Sequence, residues 1–73
     1  MKAFEVIDTL KIGNNTSIII KDKGMDVKNG TALLDDNGKP HVILSVGMNN
    51  DKGSIETTTL LLEGEFKSKK IYI

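Results

Sequence analysis

Hydrophobic side chains along this chain come in short bursts at alternate positions, and the bursts are separated by asparagine and glycine. Between residues 4 and 12, Phe4, Val6, Leu10 and Ile12 share one parity with Asp8, while Glu5, Ile7, Thr9 and Lys11 take the other. A period of two over that length predicts one long half-buried strand. Asp8 interrupts the inward series. The pattern therefore predicts a bulge there, or a carboxylate that accepts backbone N–H groups, because an unpaired buried charge is costly.

Further along, Ile18, Ile19 and Ile20 are consecutive within residues 17–21. Such a run predicts a central strand covered on both faces, or one whose outer face meets a partner. Residues 21–24 read as a solvated turn, and residues 27–30 as a short strand end leading into another. Residues 31–34 are expected to pair with residues 41–46 across a hairpin at residues 35–40. Residues 48–54 read as a polar loop. Residues 55–63, with three threonines and three leucines, favour a strand over a helix. Gly64 ends it. Phe66 and Ile71 differ in parity, so residues 67–70 are expected to form a loop or bulge before a last short strand at residues 71–73.

The separators have a physical logic. Asn14-Asn15, Asn29-Gly30, Asn37-Gly38 and Asn49-Asn50 with Gly53 divide the chain into segments too short for helices. Gly13, Gly24, Gly30, Gly38 and Gly64 are assigned to turns, where positive φ is needed, while the branched aliphatics and threonines fit a pleated sheet. The whole reads as one small all-β domain over residues 1–73.

Size and composition sharpen this picture. A chain of 73 residues buries only roughly 60% of its unfolded surface, so its net stability is expected to be about 5 kcal/mol. With two Phe, one Tyr and no Trp, the core falls to Ile, Val and Leu. There is no Cys, which excludes disulfides, thiolate chemistry and thiolate zinc sites. The first five residues carry charge where a signal peptide needs an apolar stretch, and no run is long enough for a membrane helix, so the expectation is a soluble cytoplasmic chain without a membrane role. Ten basic and ten acidic side chains cancel. Nucleic acid or an anionic surface would then have to be held by a local patch.

Candidate chemistry is sparse. His41 is the lone histidine and has no Cys, second His or Ser at an informative spacing, so it reads as an ordinary strand-end residue. Asp35, Asp36 and Asp51 sit where turns want acidic residues, and the calcium-loop pattern is missing. Glu63 and Glu65 flank Gly64 and would share a strand face as solvated charges. No metal or other cofactor is implied. The best ligand candidate is Lys67, Lys69 and Lys70 with Tyr72, where ammoniums beside an aromatic ring suit a phosphate backbone and a stacked base, although lysines also guard exposed sheet edges.

The order of these marks resembles a known pattern. Asp8, Leu10, Ile12 and Gly13 are followed by Thr16 with its aliphatic run, then Gly24, Val27, Lys28 and Gly30, then Leu62, Gly64, Phe66, Lys67 and Ile71. This series resembles the second, β-barrel domain of translation GTPases such as the elongation factor Tu family, over nearly the whole chain. Thr31 stands where that family has an acidic residue, Asn15 replaces its second glycine, and the sequence stops where the family continues into a closing strand. No Gly-x-x-x-x-Gly-Lys-Ser/Thr phosphate loop occurs, so nucleotide binding and GTP hydrolysis are not carried over. The resemblance implies an antiparallel Greek-key barrel of about six strands that works by contact. A protein partner is the first expectation, motivated by neutral charge, the triple isoleucine and an open edge at the last strand. Contact with tRNA or the ribosome through Lys67 to Lys70 and Tyr72 is the second.

Overall fold

The structure, a computed structural model, describes residues 2–21, 27–49 and 57–73. Among these residues there are six strands and no helix: β1 Ala3–Ile12, β2 Asn15–Ile20, β3 Ala32–Leu34, β4 Pro40–Asn49, β5 Thr57–Leu62 and β6 Lys70–Tyr72. They form a closed antiparallel barrel in the order β1, β2, β5, β4, β3, β6. Strands β3, β4 and β5 form a meander, and β2 lies beside β5, which is the Greek-key arrangement.

Closure rests on β6, which pairs with β1 through Phe4 opposite Ile71 and with β3 through Leu34 opposite Tyr72. Lys2 and Ile73 also exchange backbone hydrogen bonds of 2.8 and 3.0 Å. The open edge expected at the last strand is therefore not there. A three-residue strand suffices because β1 and β3 flank it on both sides.

Alternation builds the core. On β2, Thr16, Ile18 and Ile20 are buried, and on β5 so are Thr58, Leu60 and Leu62. Leu33, Ile43, Phe66 and Ile71 complete the buried cluster, with Phe4, Val6, Val27, Val46 and Ile73 packed around it. The triple isoleucine thus divides two inward to one outward, with Ile19 half-buried on the outer face.

Two irregularities redirect strands. In the β1–β2 ladder Val6 faces Ile20 but Asp8 faces Ile19, so Ile7 is an extra residue. The expected bulge lies one residue earlier than Asp8, and the Asp8 carboxylate also accepts a backbone bond, from Thr9 N–H at 2.9 Å. Its consequence corrects the inward series. An inserted residue reverses parity, and Leu10 and Ile12 stand 63% and 51% exposed instead of entering the core. A second shift, at Leu44, separates the two ends of β4. Residues 40–42 pair with β3, and Ile43 and residues 45–49 pair with β5, so the expected β3 pairing to residue 46 is too long.

Other boundaries also move. Residues 27 and 28 are not in a strand, Met48 and Asn49 extend β4 where a loop was expected, and Lys70 opens β6. Gly24, Asp51 and residues 50–56 lie outside the described residues. The turns at Gly13, Gly30, Gly38 and Gly64 all have positive φ, as the separators imply. At Gly13, φ is 60° and Asn14 has no positive φ, which matches a two-residue hairpin turn with glycine first.

Candidate functional site

Three places carry unusual side-chain or backbone chemistry. The first is the β3–β4 hairpin. Asp35 Oδ1 accepts the N–H groups of Asn37 and Lys39 at 2.8 and 2.9 Å, so the turn role expected for this aspartate holds. Its other oxygen, Oδ2, lies 2.9 Å from His41 Nε2, and both side chains are largely buried, at 9% and 3% exposure. His41 is thus not a plain strand-end residue. It is the inward residue of β4 opposite Leu33, and its ring meets Phe66 edge-on with centroids 5.1 Å apart.

The His41 side chain, followed by the Lys39 N–H, holds the Asp35 carboxyl below its ordinary value. An ionised Asp35 requires the proton on His41 Nε2, which then donates. Clefts on either side of His41 are lined by Lys39, Glu63, Glu65, Lys67 and Ser68. The Ser68 hydroxyl accepts the Asp36 N–H at 3.2 Å and makes no bond to His41. A serine, a histidine and an aspartate share this cleft without forming the hydrogen-bonded relay that an activated nucleophile requires. Among the described residues, no group of three or more His, Cys, Asp or Glu side chains could hold a metal ion.

The second place is the lysine segment. Lys67 Nζ is 3.0 Å from Glu65 Oε1, and this exposed pair holds the Glu65 carboxyl below its ordinary value. Glu63 and Glu65 are both exposed, but they lie beyond the end of β5 and do not share a strand face. Tyr72 donates its hydroxyl to Asp36 Oδ1 at 3.2 Å, and Asp36 raises the phenol above its ordinary value. Lys69 and Lys70 are exposed and enter no ion pair among the described residues. The sequence candidates are thus neighbours along the chain, but Lys67 and Tyr72 already have acidic partners. A base stacking on Tyr72 would have to accommodate the Asp36 contact.

The third place is the second half of β1. Past the bulge, Asp8 to Ile12 pair, among the described residues, with β2 on one side only, because β6 pairs with Ala3, Phe4 and Glu5. Ile12 and Asn15 flank the two-residue turn and so exchange hydrogen bonds. Two residues back, Leu10 and Ser17 do the same. Thr9 and Lys11 consequently direct their backbone N–H and C=O groups away from β2, and the Thr9 N–H is met by the Asp8 side chain.

This edge also carries apolar side chains: Ile7 is 50% exposed, and Leu10 and Ile12 are more so. Beside it, Asp8, Thr9, Leu10, Ser17, Ile19 and Thr59 line a shallow groove on the outer face. No sequence reading placed an edge here, because it follows from where β6 stops along β1. The Asp8 interruption, which signalled the bulge, was the available clue.

Comparison with protein-family models, with curated proteins and with solved structures returns no match. No helix among the described residues is long and apolar enough to cross a membrane.

Proposed function

We propose that this chain is a non-catalytic barrel scaffold whose work is contact with another protein, and that the contact surface is the free edge of β1 with its outer groove. The observation that carries this reading is the coincidence, over residues 8–12, of backbone groups turned away from β2, of which the Thr9 N–H is met by Asp8, with exposed Leu10 and Ile12. Edge strands with such features bind extended segments by adding a strand: main-chain hydrogen bonds give affinity and alternate side chains give selectivity. The bulge at Ile7, the Asp8 carboxylate and Lys11 blunt this edge in part, yet Leu10 and Ile12 stay exposed on it, which suggests use. The likeness to the translation-GTPase barrel supports a role in contact, and the chain's zero net charge leaves association with a protein unopposed.

Peptides selected for binding from a displayed random library provide the test. Bound peptides are expected to be extended and to perturb the NMR amide signals of Thr9 and Lys11 before any others. The competing reading, an RNA or ribosome module, rests on exposed Lys69 and Lys70 with Lys67 and Tyr72. It requires tRNA affinity that falls with salt and is lost when the three lysines become alanine. That result, with no peptide response at the β1 edge, would replace the protein-contact reading.

A further inference from the structure

We infer that the partner seated on the β1 edge is a second copy of this chain, paired antiparallel about Leu10. The inference rests on the contact reading above and names its occupant. Four observations converge on it.

The first is backbone polarity. Thr9 and Lys11 face outward, so in a symmetric antiparallel pair centred on Leu10 each copy's Thr9 lies opposite the other's Lys11, and both exchange their N–H and C=O groups. Centring on Thr9 instead would bring Lys11 opposite Ile7, the bulge residue, which lies outside the regular ladder.

The second is charge. A register centred on Asp8 sets two carboxylates face to face, and one centred on Lys11 sets two ammoniums face to face. Directly opposed like charges destabilise a sheet. The Leu10 register opposes Thr9 to Lys11 and Asp8 to Ile12, with no like pair. The chain's net charge of zero adds no repulsion between copies.

The third is side-chain burial. In this register the two Leu10 residues form the non-hydrogen-bonded central pair, where cross-strand side chains come closest. Each Leu10 also reaches the other copy's Ile12 along the diagonal. The two most exposed large hydrophobic side chains among the described residues would thus cover one another.

The fourth is symmetry. An edge meeting itself across a two-fold axis closes the assembly at that edge, because each copy's residues 8–12 are taken up by the other's. Strand β6 is paired on both sides and offers no continuation at its own edge. The contact is small, which places the dimer in the weak, reversible class.

The absence of cysteine permits a sharp test. Opposed residues of a non-hydrogen-bonded pair have Cα atoms about 4.5 Å apart, within disulfide range. A Leu10→Cys variant is therefore expected to form a disulfide dimer rapidly under mild oxidation. Thr9→Cys and Lys11→Cys, each opposite the other position, should crosslink at least about tenfold more slowly, as their separation exceeds that range. Sedimentation of the unmodified chain up to ~1 mM is expected to show its 8.0 kDa mass rising toward twice that value. Leu10→Lys should abolish the rise, with circular dichroism verifying that the barrel remains. Asp8→Ala should strengthen pairing, because it frees the Thr9 N–H.

Equal crosslinking at the three positions, or a monomer at every concentration, would overturn self-pairing. If the selected peptides then still shift Thr9 and Lys11, the contact reading survives with a different partner. If they do not, both readings are overturned.

Discussion

One buried pair, Asp35 with His41, ties the stability of this barrel to pH. Folding holds the Asp35 carboxyl below its ordinary value of 3.8, chiefly through the His41 bond and next through the Lys39 N–H. The unfolded carboxyl therefore binds a proton more readily than the folded one. Its contribution to stability is complete above the unfolded value and is lost as pH falls through the lower, folded one. The urea midpoint is thus expected to decline below about pH 4. Asp35→Asn should lower the midpoint at neutral pH and flatten that acid decline. His41→Ala should lower the urea midpoint at pH 7, since it leaves a charged hydrogen-bond acceptor without its partner. Urea titrations of the three proteins at several pH values measure both effects; an unchanged acid slope in Asp35→Asn would show that the decline arises elsewhere. The Glu65 carboxyl, beside Lys67, is lowered in the same way, but that contact is exposed and salt-screened, so high salt separates the two contributions.

At the scale of elements, what the sequence revealed and what it hid follow from the range of the interactions involved. β2 and β5 were legible as strands because branched and β-favouring residue types are a local property, but their uninterrupted runs did not show that Thr16, Ile18 and Ile20, then Thr58, Leu60 and Leu62, turn inward. The turn glycines were legible because positive φ is a property of a single residue. The fate of Leu10 and Ile12 was not, because a one-residue bulge at Ile7 reverses parity and shows in the sequence only as the misplaced Asp8. The Asp35–His41 pair was missed because each residue had an adequate local explanation, as turn and strand end, and their meeting depends on the hairpin register. Closure through β6 depends on pairing between residues at opposite ends of the chain. That strand should therefore be indispensable. Removing residues 70–73 takes away fully buried Ile71 and the ladders to β1 and β3. The shortened chain is expected to lose its dispersed NMR amide spectrum, and a well-dispersed spectrum would show that the remaining strands close without β6.

For the molecule as a whole, the balance between core size and chain length decides how much damage it tolerates. Among the described residues, eight buried hydrophobic side chains form the central cluster, and only Phe66 among them is aromatic. Leu60 sits in the middle strand of that cluster, between Ile18 on β2 and Val46 on β4, and is fully buried. Replacing a buried leucine by alanine costs about 2–5 kcal/mol, the upper part of the range applying where the surroundings cannot collapse. A barrel hydrogen-bonded around its circumference collapses poorly, so Leu60→Ala should fall at the upper end. Against a total of about 5 kcal/mol, that loss leaves the chain close to half unfolded at room temperature. Leu10→Ala, on the exposed edge, should cost less than about 0.5 kcal/mol. Thermal unfolding at low concentration, where the edge is unpaired, compares the two directly. If both substitutions cost the same, the inward and outward assignment of these two leucines is wrong. The edge residue should acquire a measurable effect only as concentration rises, because pairing through β1 would stabilise the folded chain by mass action.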